Sequence, residues 1–358
     1  MARPAVLLSD AIEEFLRYRR SAGFRPNTLA INERALRKLL GVVGNIQCGS
    51  LEARHGEQFQ AYLMGKGYKP NTVAANLTAF AAFVKWLRTR HYLGARSDPM
   101  ANVRSPRSNA EPRQRILREN FDDFLDATQY PYERMVCALG LYLFLRASEI
   151  QAIHLKDIDL DRGEILVHVE KTNQTDPMPI STELDRELRR YLRWYASDLS
   201  EPFAGDMYLV PRIRRRPFAN DGTGPGGGYI VERKKGNTQP YTKVARPHRY
   251  VQRTLVKVGI PIRDAEGKSL MEGVHTLRRS GARALFDDLV ENSNYDGALR
   301  LVSAMLHHKS TVMTERYLGL DVDVKKRNDL IRGKQMFTVP DTGNVIDIAS
   351  LSRRSESV

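Results

Sequence analysis

The sequence predicts two domains: an amino-terminal all-helical bundle, then a larger, mainly helical domain with a small β-hairpin or sheet. Three observations lead there. The chain has 358 residues, long for a single hydrophobic core. Residues 9–93 hold four stretches with apolar residues at helical spacing and no strand-like alternation. The segment 94–115, GARSDPMANVRSPRSNAEPRQR, has almost no periodicity and three prolines, and beyond it the helical pattern is broken by a run of alternating character.

In the first domain, Ser9 or Asp10 is placed to cap a helix whose Ile12, Phe15 and Leu16 share a face, ending near Gly23. A second helix starts at Pro26 and turns Leu36, Leu39 and Leu40 inward. A third carries Phe59, Tyr62 and Leu63, and a fourth carries Val73, Leu77, Phe80, Val84 and Leu87. The words GFRPNT and GYKPNT open the second and fourth helices. Two copies fit similar helix starts better than a repeat array. Cations stud these helices, among them Arg34, Lys38, Lys69, Lys85 and Arg88. They form either an ordinary solvated face or a set of phosphate contacts.

The second domain is expected over 116–335, with a weakly ordered tail at 336–358. NFDDFLDATQ and YERMVCALGLYLFL are helical, the latter apolar enough to be the central core helix. Arg146 follows at once, then a short helix, ASEIQAI, with Glu149 three residues on. Asp157 and Asp159 shape a turn before EILVHVEK, where Ile165, Val167 and Val169 alternate as in a strand. TNQTD reads as a turn and PMPI as the returning strand, which puts Lys171 at a hairpin tip. TELDRELRRYLRWYASDL resumes helix, and MYLV is a possible short strand. Residues 212–247 read as a long basic insertion holding Arg214, Arg215, Arg216, Lys234 and Lys235. Helix returns from about His248 to Val258.

The stretch 274–319 is the chemically dense one. His275 and Arg278, three apart, share a helix face, and His308 and Tyr317 stand nine apart. A phenol with a reference pKa of about 10 is a weak nucleophile, so any chemistry at Tyr317 needs partners that move protons and cancel charge. The other histidines, His55, His91, His154, His168 and His248, show no such partnership, and Tyr250 and Trp194 read as packing residues.

Composition narrows the partner. Fifty-six Lys+Arg against 42 Asp+Glu give a formal charge of +14, which favours a polyanion. The two cysteines, Cys48 and Cys137, have no metal-ligand spacing, and point to a reducing compartment without structural zinc. Neither a signal peptide nor an apolar run of transmembrane length is present, so a cytoplasmic protein is expected, with no membrane partner.

Taken together, the motifs resemble the tyrosine recombinases, the phage-integrase and Xer-like family. The family's leucine-arginine and serine-glutamate pairs stand here as LRASEI, giving Arg146 and Glu149. Its hairpin lysine and following proline match Lys171 and Pro179 in EKTNQTDPMPI. Its histidine-x-x-arginine is HTLR, giving His275 and Arg278. The late histidine and tyrosine appear in HHKSTVMTERY as His308 and Tyr317. The likeness covers roughly residues 9–335. Departures are His307 where the family usually has glycine, Arg279 where it often has histidine, the insertion near 212–247, and the lengthening NSNYDG.

The resemblance implies the tyrosine recombinase fold, with a core-binding domain at 1–93, a basic linker at 94–115 and a catalytic domain at 116–335. It implies a site-specific recombinase working through a 3′-phosphotyrosine intermediate without metal or other cofactor. Arg146, Lys171, His275, Arg278, His308 and Tyr317 would be catalytic, and Glu149 would support Arg146. Arg34, Lys38, Lys69, Lys85, Arg88, Arg104, Arg107, Arg214, Arg215, Arg216, Lys234 and Lys235 are candidates for the DNA backbone. The implied partner is double-stranded DNA with paired half-sites, clamped by both domains. The chain would be a monomer when free and a tetramer on synapsed DNA, with accessory DNA-bending proteins and a tail at 322–337 docked on a neighbouring protomer. The role expected is that of an integrase or excisionase of a phage or other mobile element. The alternatives are a Xer-like chromosome or plasmid dimer resolvase, a type IB-like topoisomerase, and a catalytically silent DNA-binding protein.

Overall fold

The computed structural model describes residues 5–94, 96–106, 114–169, 174–198, 205–215, 229–231, 242–292 and 294–320. The chain forms two compact units, Met1–Glu111 and Pro112–Val358.

The first unit is helical: α1 (Leu8–Ser21), α2 (Pro26–Val43), α3 (Ala53–Gly65) and α4 (Pro70–Thr89). Neither Ser9 nor Asp10 caps α1. Leu7 stands at the cap, and the first-turn N–H groups of Leu8 and Ser9 donate instead to the Ile46 carbonyl (2.9 Å) and Asn45 Oδ1 (3.0 Å). Tertiary acceptors thus replace a local one. The two similar hexapeptides do the same work. Gly23 (φ 76°) and Gly67 (φ 67°) follow the preceding helices in the left-handed region. Arg25 and Lys69 are held extended ahead of proline, and Pro26 and Pro70 open the next helix, where a missing N–H costs nothing.

The apolar stripes meet in one core built on Phe15, Leu36, Leu39, Phe59, Leu63, Phe80 and Phe83, with Phe15 and Phe83 edge-to-face at 5.3 Å. Part of the stretch between the domains lies on this bundle. Ser97 donates to the Leu51 carbonyl at 2.6 Å, and the Gln60 side chain exchanges hydrogen bonds with the Arg104 backbone at 2.8 and 3.2 Å.

The second unit contains α5 (Phe121–Asp126), α6 (Pro131–Tyr142) and α7 (Ala147–Ala152). There follow β1 (Ile158–Asp159), β2 (Glu164–Val169), β3 (Gln174–Pro179) and α8 (Thr182–Asp198). After these come β4 (Ile213–Arg215), β5 (Tyr229–Val231), α9 (Pro247–Lys257), α10 (Val274–Asn292), α11 (Tyr295–Met305) and α12 (Thr311–Leu318). The first three strands form an antiparallel sheet in sequence order. In β2 the expected residues Ile165, Val167 and Val169 are the buried ones. β3 is longer than PMPI alone: Gln174, Thr175 and Asp176, expected in a turn, pair with Val169, His168 and Val167. MYLV is not a strand. Its backbone makes an isolated bridge to the 153–155 segment, through Leu155 N–H to the Met207 carbonyl and Leu209 N–H to the Ile153 carbonyl, both 2.9 Å. Within the basic insertion, β4 pairs with β5. Lys171, Arg107, Arg216, Lys234, Lys235 and the tail beyond Leu320 lie outside the described residues, as do the side chains of Arg214 and Arg215.

α6 is the buried spine, and α10 packs across it with no room to spare. A Cβ at Gly281 would stand 1.8 Å from the Leu141 carbonyl oxygen, and one at Gly140 would stand 3.0 Å from Leu277 Cβ. Glycine here permits close helix approach. A smaller apolar cluster, with Phe144, Phe286, Leu299, Val302, Leu306 and Leu318, seats α11 and α12 against α10.

Candidate active site

Two of the groups singled out in the sequence, Arg146 and Arg278, come together around one backbone carbonyl. Arg146 stands at the start of α7, and Arg278 projects from the first turns of α10. The Leu306 carbonyl, in the turn after α11, accepts from Arg278 Nη2 at 2.6 Å and from Arg146 Nη2 at 3.3 Å. A second carbonyl, that of Phe144, accepts from Arg278 Nη1. Phe144 reaches that position in the left-handed region (φ 54°), a conformation that costs a bulky residue energy and is held here by its surroundings.

Glu149 is the counter-charge. It is buried, accepts from Arg146 Nη1 and from the Arg146 backbone N–H, both at 2.7 Å, and stands 3.6 Å from Arg278 Nη1. One carboxylate therefore caps the first turn of α7 and fixes the Arg146 fork. Arg278 is 1% exposed. Burial first, and the neighbouring Arg146 cation second, pull its guanidinium down to about 10. Two cations held this close, with one carboxylate between them, favour a further anion.

Tyr317 lies on α12 beside this pair. Its hydroxyl donates to the His275 carbonyl at 3.3 Å, and the Arg278 guanidinium is 6.0 Å from its ring centroid. Burial raises the phenol above its ordinary value, opposed by Arg278, Arg279 and Arg146, so it stays protonated near neutral pH. His308 stands edge-on to the Tyr317 ring at 5.3 Å, with Nδ1 on Thr314 Oγ1 at 3.0 Å. The His275 side chain is exposed at the rim.

Two residues passed over in the sequence also shape the site. Arg283, buried on α10, donates to the Leu318 carbonyl at 3.2 Å and holds the end of the Tyr317 helix. His307, noted only as replacing a glycine, takes φ 51° and bonds Asp176 on β3 at 2.7 Å. Its local signal was that departure from the family pattern.

The residues read as bystanders have structural work. His55 Nδ1 accepts from the Glu52 N–H at 3.0 Å, Asp157 accepts from the His154 N–H at 2.7 Å, and the Tyr250 ring packs tilted against Tyr132 with centroids 5.3 Å apart. Of the candidate backbone contacts on the first unit, Arg34, Lys69, Lys85, Arg88 and Arg104 are exposed. Lys38 is half-buried over the Tyr68 ring at 4.5 Å. Arg88 is engaged by Asp98 and the Ser97 carbonyl, both at 2.9 Å.

Comparison with known proteins shows the family and the fold. The profile of the phage integrase family matches residues 114–323, more than half the chain, and the chain belongs to that family, the tyrosine recombinases. It is 25% identical over 198 residues to an integrase/recombinase of Escherichia coli and, with the same figures, to one of Pseudomonas aeruginosa. Each match covers 54% of this chain, and the chain spans 55% of those relatives' length, about half. In fold it is similar to a lambda integrase dimer bound to a COC′ core site, with TM-score 0.62 and 13% identity over 94% of this chain and 100% of that one. It is also similar to the Tn1549 transposon integrase in complex with a circular-intermediate DNA, with TM-score 0.61 and 16% identity over 87% of this chain and 94% of that one. Among the described residues no helix is long and apolar enough to cross a membrane.

Proposed function

We propose that this chain is a site-specific DNA recombinase that cleaves and rejoins strands through Tyr317, serving a phage or other mobile element. The observation that carries this reading is the convergence of the Arg146 and Arg278 forks on the Leu306 carbonyl, with the Tyr317 phenol beside Arg278. In the proposed step Tyr317 Oη attacks the scissile phosphorus, a P–Oη bond forms and the P–O5′ bond breaks. The phenolic proton passes to the His275 ring, and Lys171 protonates the departing 5′ oxygen. Arg146, Arg278 and His308 hold the non-bridging oxygens as negative charge grows on them. Donors of this kind are typically worth roughly 100- to 1000-fold in rate. The 5′ hydroxyl of a second strand reverses the step without added energy, because the phosphotyrosine conserves the bond. Before attack, the weak 3.3 Å contact of the phenol with the His275 carbonyl must break.

The partner is a DNA duplex with paired half-sites, gripped by cations of both units and brought together by oligomers of this chain. The net charge of +14 supports this, as does the binding of a core site by lambda integrase and of circular-intermediate DNA by the Tn1549 transposon integrase, both similar in fold.

The test begins with a binding site selected from random-sequence duplex, nicked near the cleavage position so that a released fragment cannot religate. Wild type should accumulate a covalent protein–DNA adduct, and Tyr317→Phe should bind equally well and form none. Lys171→Ala should be slow on ordinary DNA and recover on a bridging 5′-phosphorothiolate, whose sulfur leaves without protonation. An adduct with Y317F at the wild-type rate would refute the nucleophile.

A further inference from the structure

The β2–β3 hairpin and the turn between α11 and α12 are far apart in sequence, and one side-chain bond joins them. His307 Nε2 donates to Asp176 Oδ2 at 2.7 Å. The two flanking residues are the ones the site depends on. Leu306 supplies the carbonyl shared by both arginines, and His308 stands against the Tyr317 ring. Thus two successive histidines leave the turn in different roles, His308 to the phenol and His307 to the sheet.

His307 holds this place at some cost. Its φ of 51° lies in the left-handed region, where glycine is the usual residue and a Cβ is penalised. The side chain is mostly buried, and its Nδ1 finds no partner among the described residues, so the carboxylate is the contact that fixes the ring. The partner, Asp176, sits within the pairing of β3 on β2, opposite Val167, whose side chain is in the core. The far end of the bond is therefore anchored. A strained residue kept where glycine would relax the backbone indicates that its side chain is needed.

We propose that His307 is a positioning residue, tying the Leu306–His308 turn to β3 through Asp176 so that the Leu306 carbonyl holds the two guanidinium forks in register with Tyr317. This rests on the recombinase reading for its catalytic consequence, and on geometry alone for the tie itself.

Three variants of the full-length chain separate the tie from the backbone strain. His307→Gly removes the donor and relieves the left-handed penalty. His307→Gln keeps an N–H donor of similar reach and keeps the penalty. Asp176→Ala removes the acceptor. Each is followed by adduct formation on the nicked duplex and by amide hydrogen exchange over 300–308 and 164–169. H307G and D176A should each slow adduct formation about 10- to 100-fold, the cost of a small misplacement of reacting groups. A fourth protein that combines H307G with D176A should be no slower than either single variant. H307G should do so without loss of unfolding midpoint, and H307Q should recover most of the rate. Exchange at the turn should speed about tenfold in H307G and D176A, as for loss of one hydrogen bond. Wild-type rates and exchange in both variants would overturn the proposal. Absence of any adduct with wild type would overturn the recombinase reading and the catalytic half of the proposal, and hydrogen exchange would then decide the tie by itself.

Discussion

Replacing Gly281 with alanine tests how the site is assembled. A Cβ there would stand 1.8 Å from the Leu141 carbonyl oxygen and 2.8 Å from Phe144 Cε1. No rotamer relieves that overlap, because Cβ is fixed by the backbone, so α10 must move off α6 by on the order of 1 Å. Alanine favours helix by about 1 kcal/mol, and overpacking costs about 1–3 kcal/mol. Arg278 lies one turn before Gly281. Displacing α10 also loosens its bonds to the Phe144 and Leu306 carbonyls, and a charged hydrogen bond contributes about 1.5–3 kcal/mol. The net expectation is a destabilisation of about 2–4 kcal/mol in the second unit and a loss of adduct formation of at least tenfold. Urea unfolding read by hydrogen exchange separates the two units, since only peptides from 114–320 should weaken. A Gly281→Ala protein with wild-type exchange and wild-type adduct rate would refute the close approach of α6 and α10 as the support of Arg278.

Other outcomes follow from the same geometry. Glu149→Ala leaves Arg146 and Arg278 facing each other without a counter-charge, and should cost about 3–5 kcal/mol by chemical denaturation. Arg278→Met should abolish adduct formation and lower the unfolding midpoint, since the buried Phe144 carbonyl loses its guanidinium donor and Glu149 loses one of its two cations. The folded-state value of Arg278, depressed to about 10, works against that loss, because at neutral pH the buried cation is itself less favourable in the native state than in the unfolded one. Tyr317 has a raised folded-state value, so its contribution to stability is fully present below pH 10 and is lost as pH rises above that. Tyr317→Phe should therefore flatten the alkaline limb of a stability–pH profile. DNA affinity should fall by roughly 10³–10⁵ between 50 and 200 mM salt for 6–10 phosphate contacts, and a residue 116–358 fragment should bind more weakly than the full chain, measured by fluorescence anisotropy.

Much of this architecture was legible because it is written in periodicity. Ile12, Phe15, Leu36, Phe80 and Leu87 lie in the first core, and Ile165, Val167 and Val169 are the buried face of β2, as burial on one side demands. Arg146, Glu149, Arg278, His308 and Tyr317 converge because their motifs sit at the ends of helices that pack on one another. Where the reading failed, the deciding partners were distant in sequence. α1 starts on acceptors from Asn45 and Ile46, which no local cap signal announces. Gln174–Asp176 are polar and look like a turn, yet pairing with β2 makes them a strand. His307 registered only as a missing glycine, since its meaning depends on Asp176, 131 positions away.

The central claim is that Tyr317 becomes joined to DNA. Its most direct measurement is peptide mapping by mass spectrometry of the adduct trapped on the nicked, selected duplex. Nucleotide mass attached at Tyr317, through a 3′ phosphate and with a free 5′ hydroxyl on the released strand, is the predicted result. Attachment to any other residue, or a 5′ linkage, would contradict the account.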